Sequence, residues 1–370
     1  MDFEIWILDL FCKAKAMDYL TYLKKLLDVV VQEEASDLDI SVGHVPNIRI
    51  TSQLTPLSQE KIILSKDSEG LAFSLLSAVQ REKFLAEKEI DFSYQYEDKG
   101  RFRINIFFQR GSISLALRFI PSKIRTIEEL NLPPILHDFV SRPQGLVLVT
   151  GATSQGKSTS LAAMIDEINH TRSVHIITIE DPIEYTYPID RAIIDQREVI
   201  IDTLNFNNAL RASLRQNPDV IMVGEMRDLE TITTTITAAE TGHLVFATLH
   251  TNSAAQTIHR IVDVFPAEQQ DQIKFQLSSS LLGIVSQRLV PRIKGGLIPV
   301  CEVLICNNAI SNLIRENRVH EIPAVIETSA KEGMISFNRA MVDLVRKKEI
   351  SLKNAMDYAI DPSEVRDLLR

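Results

Sequence analysis

The first third of the chain alternates between helical and strand-like spacing of its hydrophobic positions. Apolar residues recur every three or four positions over residues 18–34, which predicts a helix. Apolar and polar residues then alternate over residues 38–42 and 48–50, which predicts strands. Further segments are predicted as helices (58–69 and 71–84) and as strands (90–96, 102–108 and 113–119, with turns at Gly100 and Gly111). The pattern over residues 1–120 therefore predicts an α+β domain with an antiparallel meander.

The pattern changes after a short polar break at residues 121–125. Apolar runs now alternate with helical segments, which favours a mostly parallel sheet with crossover helices. Thr126–Glu129 has the sequence of a capped helix start. The predicted strands are Leu146–Thr150, His175–Glu180, Val220–Val223 and Leu244–Thr248, and the predicted helices are Ser158–Asn169, Phe206–Arg215, Leu229–Thr241 and Ala254–Val262. Beyond Gln269 the chain is predicted to be largely helical, apart from residues 297–305.

Composition and charge narrow the class of protein. A length of 370 residues exceeds one ordinary core and predicts two domains. The net charge of −9 gives no general footprint for nucleic acid, so no nucleic-acid partner is expected. The three cysteines contain no C-x-x-C pair, which argues against a disulfide framework or a Cys₄ zinc site and fits a reducing cytoplasm.

The first 16 residues predict an amphipathic extension. The apolar stretch Ile5–Phe11 is short, and Asp2 and Glu4 precede it where a signal peptide would carry positive charge. No apolar run in the sequence reaches the roughly 18–20 residues of a membrane-spanning helix.

The segment after the predicted strand Leu146–Thr150 has the spacing of a phosphate-binding loop. It reads Gly-x-x-x-x-Gly-Lys-Ser, and helical spacing follows, so strand, glycine loop and helix come in the order that a P-loop needs. The loop's N–H groups and the helix N-terminus would present partial positive charge to polyphosphate. Lys157 would reach the β- and γ-phosphates, and Ser158 would offer its hydroxyl to Mg²⁺. The candidate nucleotide-binding residues of the loop are Gly151, Ala152, Thr153, Ser154, Gln155, Gly156, Lys157, Ser158 and Thr159.

Carboxylates follow two of the predicted strands, at the edge where open α/β sheets bind ligands. Asp181 and Glu184 follow the second strand, and a carboxylate there could polarise the water that attacks a γ-phosphate. Glu225 follows the third strand and would hold Mg²⁺ directly or through water. The alternative interpretation of residues 180–184 is a solvated acidic turn.

Histidines and arginines are further candidates. His243 precedes the fourth predicted strand and His250 follows it, near the acids, and both are candidates for the nucleotide site. A buried histidine is more often a satisfied structural group, but His250 is positioned to sense phosphate. No other ligand lies at a zinc spacing. Arginines can reach a γ-phosphate, including that of a neighbouring subunit, although solvated faces or ion pairs are the alternative. The candidates are Arg211 and Arg215, predicted four apart on one helix face, and Arg103 and Arg118 on the hairpins.

Four motifs in this order resemble those of the secretion-ATPase superfamily, and within it the type IV pilus retraction ATPases of the PilT/PilU family. GATSQGKST matches the Walker A loop, IEDPIEY the Asp box, DVIMVGEMRD the Walker B segment and ETGHLVFATLHTN the His box. The stretch GRFRINIFFQRGSISLALRFI resembles the arginine-bearing hairpins of the family's first domain.

The resemblance implies an α/β fold with a PAS-like N-terminal α+β domain and a RecA-like P-loop ATPase domain that has a helical C-terminal region. The domain boundaries are then an extension at 1–16, the PAS-like domain at 17–120, a linker at 121–126 and the ATPase domain at 127–370. ATP and Mg²⁺ are the implied cofactors, with nucleotide between the two domains of each subunit in a homo-hexameric ring. The implied site roles are the catalytic glutamate for Glu184, the Walker B acid for Glu225, the His-box roles for His243 and His250, and phosphate sensing for Arg103, Arg118, Arg211 and Arg215.

The implied function is an ATP-hydrolysing motor that powers type IV pilus retraction and twitching motility. Such a motor is expected in the cytoplasm, peripheral at the inner face of the cell membrane. Its implied partners are further copies of itself, an inner-membrane pilus platform protein and, as a further candidate, a paralogous retraction ATPase. The chain lacks the four-cysteine zinc motif that is usual in pilus-extension and type II secretion ATPases, which favours retraction.

Three positions depart from the family pattern. Ser154 stands at the second glycine of the loop, Ser311 stands at a signature arginine, and Asp39 stands where the family often has histidine. Two other functions therefore stay open: an accessory, weakly catalytic ring subunit that assists a main motor, and an ATPase of a secretion or conjugation system.

Overall fold

The structure, a computed structural model, describes residues 18–50 and 53–369. These residues fall into two compact units, one ending at Ser122 and the other beginning at Lys123, and each is built on its own sheet. The predicted N-terminal extension, residues 1–16, lies outside the described residues.

The first unit is an antiparallel sheet in the order β3-β2-β1-β6-β5-β4. Its strands are β1 Asp37–Ile40, β2 Asn47–Ile50, β3 Gln53–Pro56, β4 Glu89–Tyr96, β5 Gly100–Gln109 and β6 Ser112–Pro121, and its helices are α1 Tyr19–Gln32, α2 Ser65–Leu75 and α3 Ala78–Glu87. Leu26 of α1 packs with Leu38 and Leu117 in one core. Alternate strand positions, such as Asp37 opposite Arg118, form the other, polar face.

The two helices predicted between residues 58 and 84 have the wrong boundaries. The side chain of Asp67 accepts a hydrogen bond from the backbone N–H of Leu64 at 3.1 Å, which places the helix start after a turn and an irregular segment. Ser77 and Gln80 then cap each other reciprocally and begin a new helix. The helix boundaries are therefore set by local capping hydrogen bonds rather than by the spacing of hydrophobic residues. Strand β3 was missed because its four residues are all exposed and show no alternation.

The second unit has a sheet in the order β13-β12-β7-β11-β10-β8-β9. Its strands are β7 Gly145–Thr150, β8 His175–Glu180, β9 Ile193–Glu198, β10 Val220–Val223, β11 Leu244–Leu249, β12 Leu281–Pro291 and β13 Leu297–Ile305. Only the β12–β13 pair of this sheet is antiparallel among the described residues. The predicted mostly parallel sheet and its four central strands are confirmed.

Helices cover both faces of this sheet. They are α4 Ile135–Ser141, α5 Lys157–Thr171, α6 Phe206–Ser213, α7 Leu229–Glu240, α8 Ala254–Asp263, α9 Ala267–Ser280, α10 Asn308–Arg315, α11 Ile322–Thr328, α12 Phe337–Arg346, α13 Leu352–Tyr358 and α14 Pro362–Leu369. The central strands are buried on both sides, so that Leu146 and Leu148 enter one core while Val147 and Val149 enter the other. This double burial explains the continuous apolar run of β7.

The sequence prediction of the second unit was wrong in four places. Strands β9 and β12 were missed, and the eleven residues of β12 occupy a region predicted to be helical. Thr126 and Glu129 form the reciprocal bonds of a capping box, at 3.1 and 3.2 Å, but only a turn follows, because Pro133 and Pro134 come next. Helix α6 ends at Ser213, so Arg215 lies beyond the helix rather than on a shared face with Arg211.

The predicted fold class is confirmed: an antiparallel-sheet α+β unit precedes a P-loop ATPase-like α/β unit with helices at its C-terminus. None of the helices in the described ranges 18–50 and 53–369 is long and apolar enough to cross a bilayer.

Candidate functional site

The P-loop, residues 151–156, joins the end of β7 to the start of α5. Gly151, Ser154 and Gly156 have positive φ angles of 148°, 63° and 81°. A Cβ atom on Gly151 would lie 2.4 Å from the backbone oxygen of Gln287, so this position requires glycine. The first turn of α5 follows directly, and the N–H groups of a first helical turn have no partner within the helix, as an anion-binding loop needs.

Lys157 is held inside the loop. Its Nζ donates to the backbone oxygens of Gly151 at 2.8 Å and Ala152 at 2.9 Å, and it lies 3.3 Å from Nδ1 of His250. Lys157 is only 9% exposed. The lysine is therefore positioned by backbone oxygens that phosphate oxygens could replace.

His250 connects Lys157 to the acid that follows β10. Because lysine can only donate, Nδ1 of His250 accepts, and the proton on Nε2 is directed at Oε1 of Glu225, 3.2 Å away. The other carboxylate oxygen of Glu225 lies 2.8 Å from the guanidinium of Arg227. The four side chains form one chain of hydrogen bonds across the ends of β7, β11 and β10.

Electrostatics support the charged form of Glu225. Burial raises the pKa of Glu225, but the hydrogen bond and charge of Arg227 and the nearby His250 outweigh burial, so the net pKa is lowered. The pKa of Lys157 is lowered by burial, and the charges of Glu225 and Glu184 oppose that shift. Glu225 and Glu184 thus both lie close enough to Lys157 for their charges to affect its pKa.

Glu184 lies in a loop between β8 and β9 that is fastened at several points. The buried Glu180 carboxylate accepts from the backbone N–H of Glu184 at 3.4 Å. Gln196 of β9 donates both to Glu180 at 3.2 Å and to the backbone oxygen of Tyr185 at 2.7 Å. Glu198 of β9 accepts from the N–H of the residue before Glu184 at 3.0 Å. The acidic segment is therefore a braced loop rather than a freely solvated turn.

Tyr185 fastens the same loop to the P-loop helix. Its hydroxyl lies 3.0 Å from the hydroxyl of Thr159. Burial raises the pKa of Tyr185, so its hydroxyl keeps its proton. Burial also raises the pKa of Glu180 to about 7. A titratable carboxyl group thus lies one hydrogen bond from the backbone of Glu184.

The structure does not bring His243 into this cluster. His243 precedes β11 and pairs with the start of β7, because its backbone oxygen accepts from Gly145. Its Nδ1 lies 2.9 Å from the backbone oxygen of Ala238. Within the chain, His243 is therefore at the opposite end of the strand from His250.

The candidate arginines lie in different settings. Arg211 and Arg215 are exposed, and the guanidinium of Arg211 is 4.0 Å from Glu230. In the first unit, Arg103 lies 3.5 Å from Asp91, and Arg118 lies 3.0 Å from Asp37. Arg103 and Arg118 also line a cavity of about 300 Å³ on the polar face of their sheet, together with Asp37, Asp39, Asp91, Asn105, Ala116 and Leu117.

Two departures from the family pattern make local contacts. Burial raises the pKa of Asp39, which lies 3.8 Å from the guanidinium of Arg49. The hydroxyl of Ser311 donates to the backbone oxygen of Ser278 at 3.0 Å. Ser311 thus links α10 to α9.

Sequence reasoning missed Gln196, Tyr185 and Gln287, which position loops of the site. Gln196 and Gln287 lie on the two strands that the hydrophobic pattern did not reveal. Tyr185 stood inside a recognised motif, and its place beside Glu184 was the available signal.

The residues of the site fit a magnesium ion that binds together with the phosphates of a nucleotide. The described residues contain no group of three or more His, Cys, Asp or Glu arranged to hold a metal. Mg²⁺ usually binds through one or two carboxylates together with phosphates and water, so such a cage is not required. The ionised Glu225 and the hydroxyl of Ser158, at the start of α5, are suitable donors.

The chain is similar to known proteins over most of its length. The profile of the family described as "Type II/IV secretion system protein" matches residues 95–341. The chain is 44% identical to the type IV pilus retraction ATPase PilT of Pseudomonas aeruginosa, over 92% of this chain and 98% of that protein. It is 39% identical to the type IV pilus ATPase PilU of the same organism, over 94% of this chain and 91% of that protein.

Solved structures are similar over the same length. The crystal structure of the pilus retraction motor PilT with bound ADP superposes with a TM-score of 0.84 at 45% identity, covering 93% of this chain and 98% of that chain. The ATPase DotB of Legionella pneumophila superposes with a TM-score of 0.79 at 26% identity, covering 90% and 94%.

Proposed function

We propose that this chain, which belongs to the type II/IV secretion system protein family and within it to the PilT/PilU family, is an ATP-hydrolysing hexameric motor that powers type IV pilus retraction. The observation that carries the proposal is the hydrogen-bonded chain from Lys157 through His250 to Glu225. It joins the phosphate-binding loop to the acid after β10.

The residues divide the work as follows. Lys157 exchanges its bonds to Gly151 and Ala152 for phosphate oxygens. Glu184, held by its braced loop, orients the attacking water and accepts its proton. His250 couples a change in the hydrogen bonds of Lys157 to Glu225, because it contacts both residues. Arg103, Arg118, Arg211 and Arg215 are proposed to neutralise charge on the transferred phosphoryl group.

Mg²⁺, held by Ser158 and Glu225, would neutralise charge on the β- and γ-phosphates when nucleotide is bound. The protein's own contribution is the orientation of these two donors. The hydroxyl of Ser158 is placed by the first turn of α5, and the carboxylate of Glu225 by Arg227 and His250.

Steady-state ATP hydrolysis by the purified protein tests the proposal. We expect the Glu184→Gln protein to bind ATP with near-normal affinity and to hydrolyse it about 100-fold more slowly, because a positioned base is lost. The exposed acid Glu268 of α9 provides a control, and Glu268→Gln should leave turnover unchanged. Near-normal turnover by the Glu184→Gln protein contradicts the assignment of Glu184.

A second candidate function is an accessory, weakly catalytic ring subunit that assists a main motor. It is favoured by Ser154, a non-glycine residue at φ 63° in the P-loop. Brisk ATP turnover by the protein alone excludes this candidate. Negligible turnover that rises when a paralogous retraction ATPase is added supports it.

The motor proposal also predicts a location and partners. Six copies of the chain form the ring, which docks from the cytoplasm on an inner-membrane pilus platform protein. Analytical ultracentrifugation with nucleotide should give a species six times the chain mass of 41.7 kDa. A monomer under all nucleotide conditions contradicts the ring.

A further inference from the structure

Strand β12 braces the P-loop through two glutamines. Nε2 of Gln287 donates to the backbone oxygen of Gln155 at 2.8 Å, while its Oε1 accepts from the hydroxyl of Ser160 in α5 at 2.7 Å. In return, Oε1 of Gln155 accepts from the backbone N–H of Leu289 at 2.6 Å. We call this set of four residues the amide clamp: Gln155, Ser160, Gln287 and Leu289.

Ser160 and Gln287 of the clamp are buried, Gln155 and Leu289 are partly buried, and the clamp fits closely around the loop's glycines. Gln287 is 3% exposed, and its amide is satisfied at both ends, which leaves it one orientation. A Cβ on Gly151 would lie 2.4 Å from the backbone oxygen of Gln287, and a Cβ on Gly156 would lie 2.9 Å from its Nε2. The clamp therefore contacts the P-loop on both sides of Ser154.

Ser154 is the position that needs this support. Its φ of 63° is left-handed, which a serine disfavours and a glycine adopts freely. The next residue, Gln155, is held at both its backbone oxygen and its side chain. Fixing Gln155 limits the conformations that Ser154 can relax into.

We propose that Gln155 and Gln287 are positioning residues that hold Ser154 in its left-handed conformation, so that the loop is preorganised for phosphate. The inference rests on the proposed function, because it assigns the clamp a role in nucleotide binding. The clamp acts on the loop rather than on the water or Glu184, so it governs nucleotide affinity and not the chemical step.

The test measures ADP binding by calorimetry and ATP hydrolysis for Gln155→Met, which keeps the length of the side chain and removes its acceptor. We expect the Kd for ADP and the KM for ATP to rise about fivefold to tenfold, with kcat changed less than about twofold. In the Ser154→Gly background the same substitution should raise both constants less than about twofold, because glycine reaches the conformation unaided.

Gln276→Met is the matched control. Gln276 is also partly buried, but its amide bonds Glu240 between α7 and α9, and its substitution should leave the Kd for ADP unchanged. Gln155→Ala repeats the test without the bulk of methionine. Thermal unfolding without nucleotide reports whether each variant is folded.

The proposed role of the clamp is wrong if the Kd for ADP is unchanged in both Gln155→Met and Gln155→Ala. It is also wrong if Gln155→Met raises the Kd for ADP as much in the Ser154→Gly background as in the unsubstituted protein. A fall in kcat with unchanged KM also overturns it, because the clamp would then act on the chemical step. Absence of ADP binding by the unsubstituted protein overturns the proposed function itself and is therefore distinguishable.

Discussion

The parallel strands of the seven-stranded sheet begin at one edge of the sheet and end at the opposite edge. Both edges carry histidine and carboxylate side chains, but these side chains bond to different partners. At the edge where the parallel strands begin, Nδ1 of His243 lies against the backbone oxygen of Ala238. Asp219 there accepts from the backbone N–H of His175 at 2.8 Å. His243 and Asp219 at this edge therefore bond backbone atoms and maintain the ends of strands, although His175 beside them also bonds the carboxylate of Asp195 at 3.0 Å.

At the edge where the strands end, the side chains bond to one another. His250 lies between Lys157 and Glu225, and Arg227 completes the chain. Such groups can exchange a partner for a phosphate oxygen without unpairing a strand. The comparison of His243 with His250 predicts that the partner of a histidine, rather than its presence beside a strand, separates a reactive position from a structural one.

The largest expected effect comes from removing the charge at the centre of the strand-end cluster. Lys157→Met should weaken ADP and ATP binding by about 100-fold or more, because the charge-assisted bonds to phosphate are lost. Lys274 is a matched control, since it is equally buried, at 8% exposure, and pairs with Asp271. Equal losses in Lys157→Met and Lys274→Met, measured by calorimetry, would remove the distinction between the cluster and other buried lysines.

The next largest effect concerns stability and pH. The pKa of Glu180 is raised by burial from 4.5 to about 7, so the folded state binds this proton more tightly than the unfolded state. Its contribution to stability is fully present below about pH 4.5 and is lost as the pH rises through 7, by about 3 kcal/mol at most. Glu180→Gln should flatten the fall in the free energy of unfolding between pH 5 and pH 8, measured with urea. An identical slope in both proteins would show that Glu180 does not titrate there.

The two histidines of the β11 segment give the direct test of the comparison. His250→Ala should lower kcat/KM for ATP about 10-fold, because Lys157 and Glu225 lose their connection. His243→Ala should change kcat/KM less than about twofold and lower the free energy of unfolding by about 1 kcal/mol, because its partner is a backbone oxygen. A larger kinetic effect from His243 would reverse our assignment of the two edges.

The smallest expected effect compares left-handed residues at the two edges. Ser154→Gly should tighten ADP binding about twofold to fivefold, because glycine adopts φ 63° without strain. Asn217, at φ 54° near the start of β10, tolerates this conformation better than serine, so Asn217→Gly should leave ADP binding unchanged. If Ser154→Gly also leaves the Kd unchanged, the loop tolerates serine and no catalytic weakness should be ascribed to it.

Local sequence predicted the positions of the P-loop and Glu225 at strand ends because each follows a strand that is almost wholly apolar. Burial on both faces makes such strands visible in a single stretch of sequence. Strand β12 escaped detection because Ser286, Gln287 and Arg288 interrupt its apolar run. Its pairing with β7 joins segments more than 100 residues apart, which no local pattern records.

The sequence alone determined the four central strands of the parallel sheet, the P-loop motif and the family, because these depend on the period of apolar residues and on motifs read in one dimension. The tertiary structure decided which polar groups meet. It placed His250 with Lys157 and left His243 with Ala238, although both histidines flank one strand. It also showed that Gln155 of the P-loop reaches the backbone of Leu289. The physical reason is that a hydrogen bond depends on distance and direction in space, which only the packed sheet establishes.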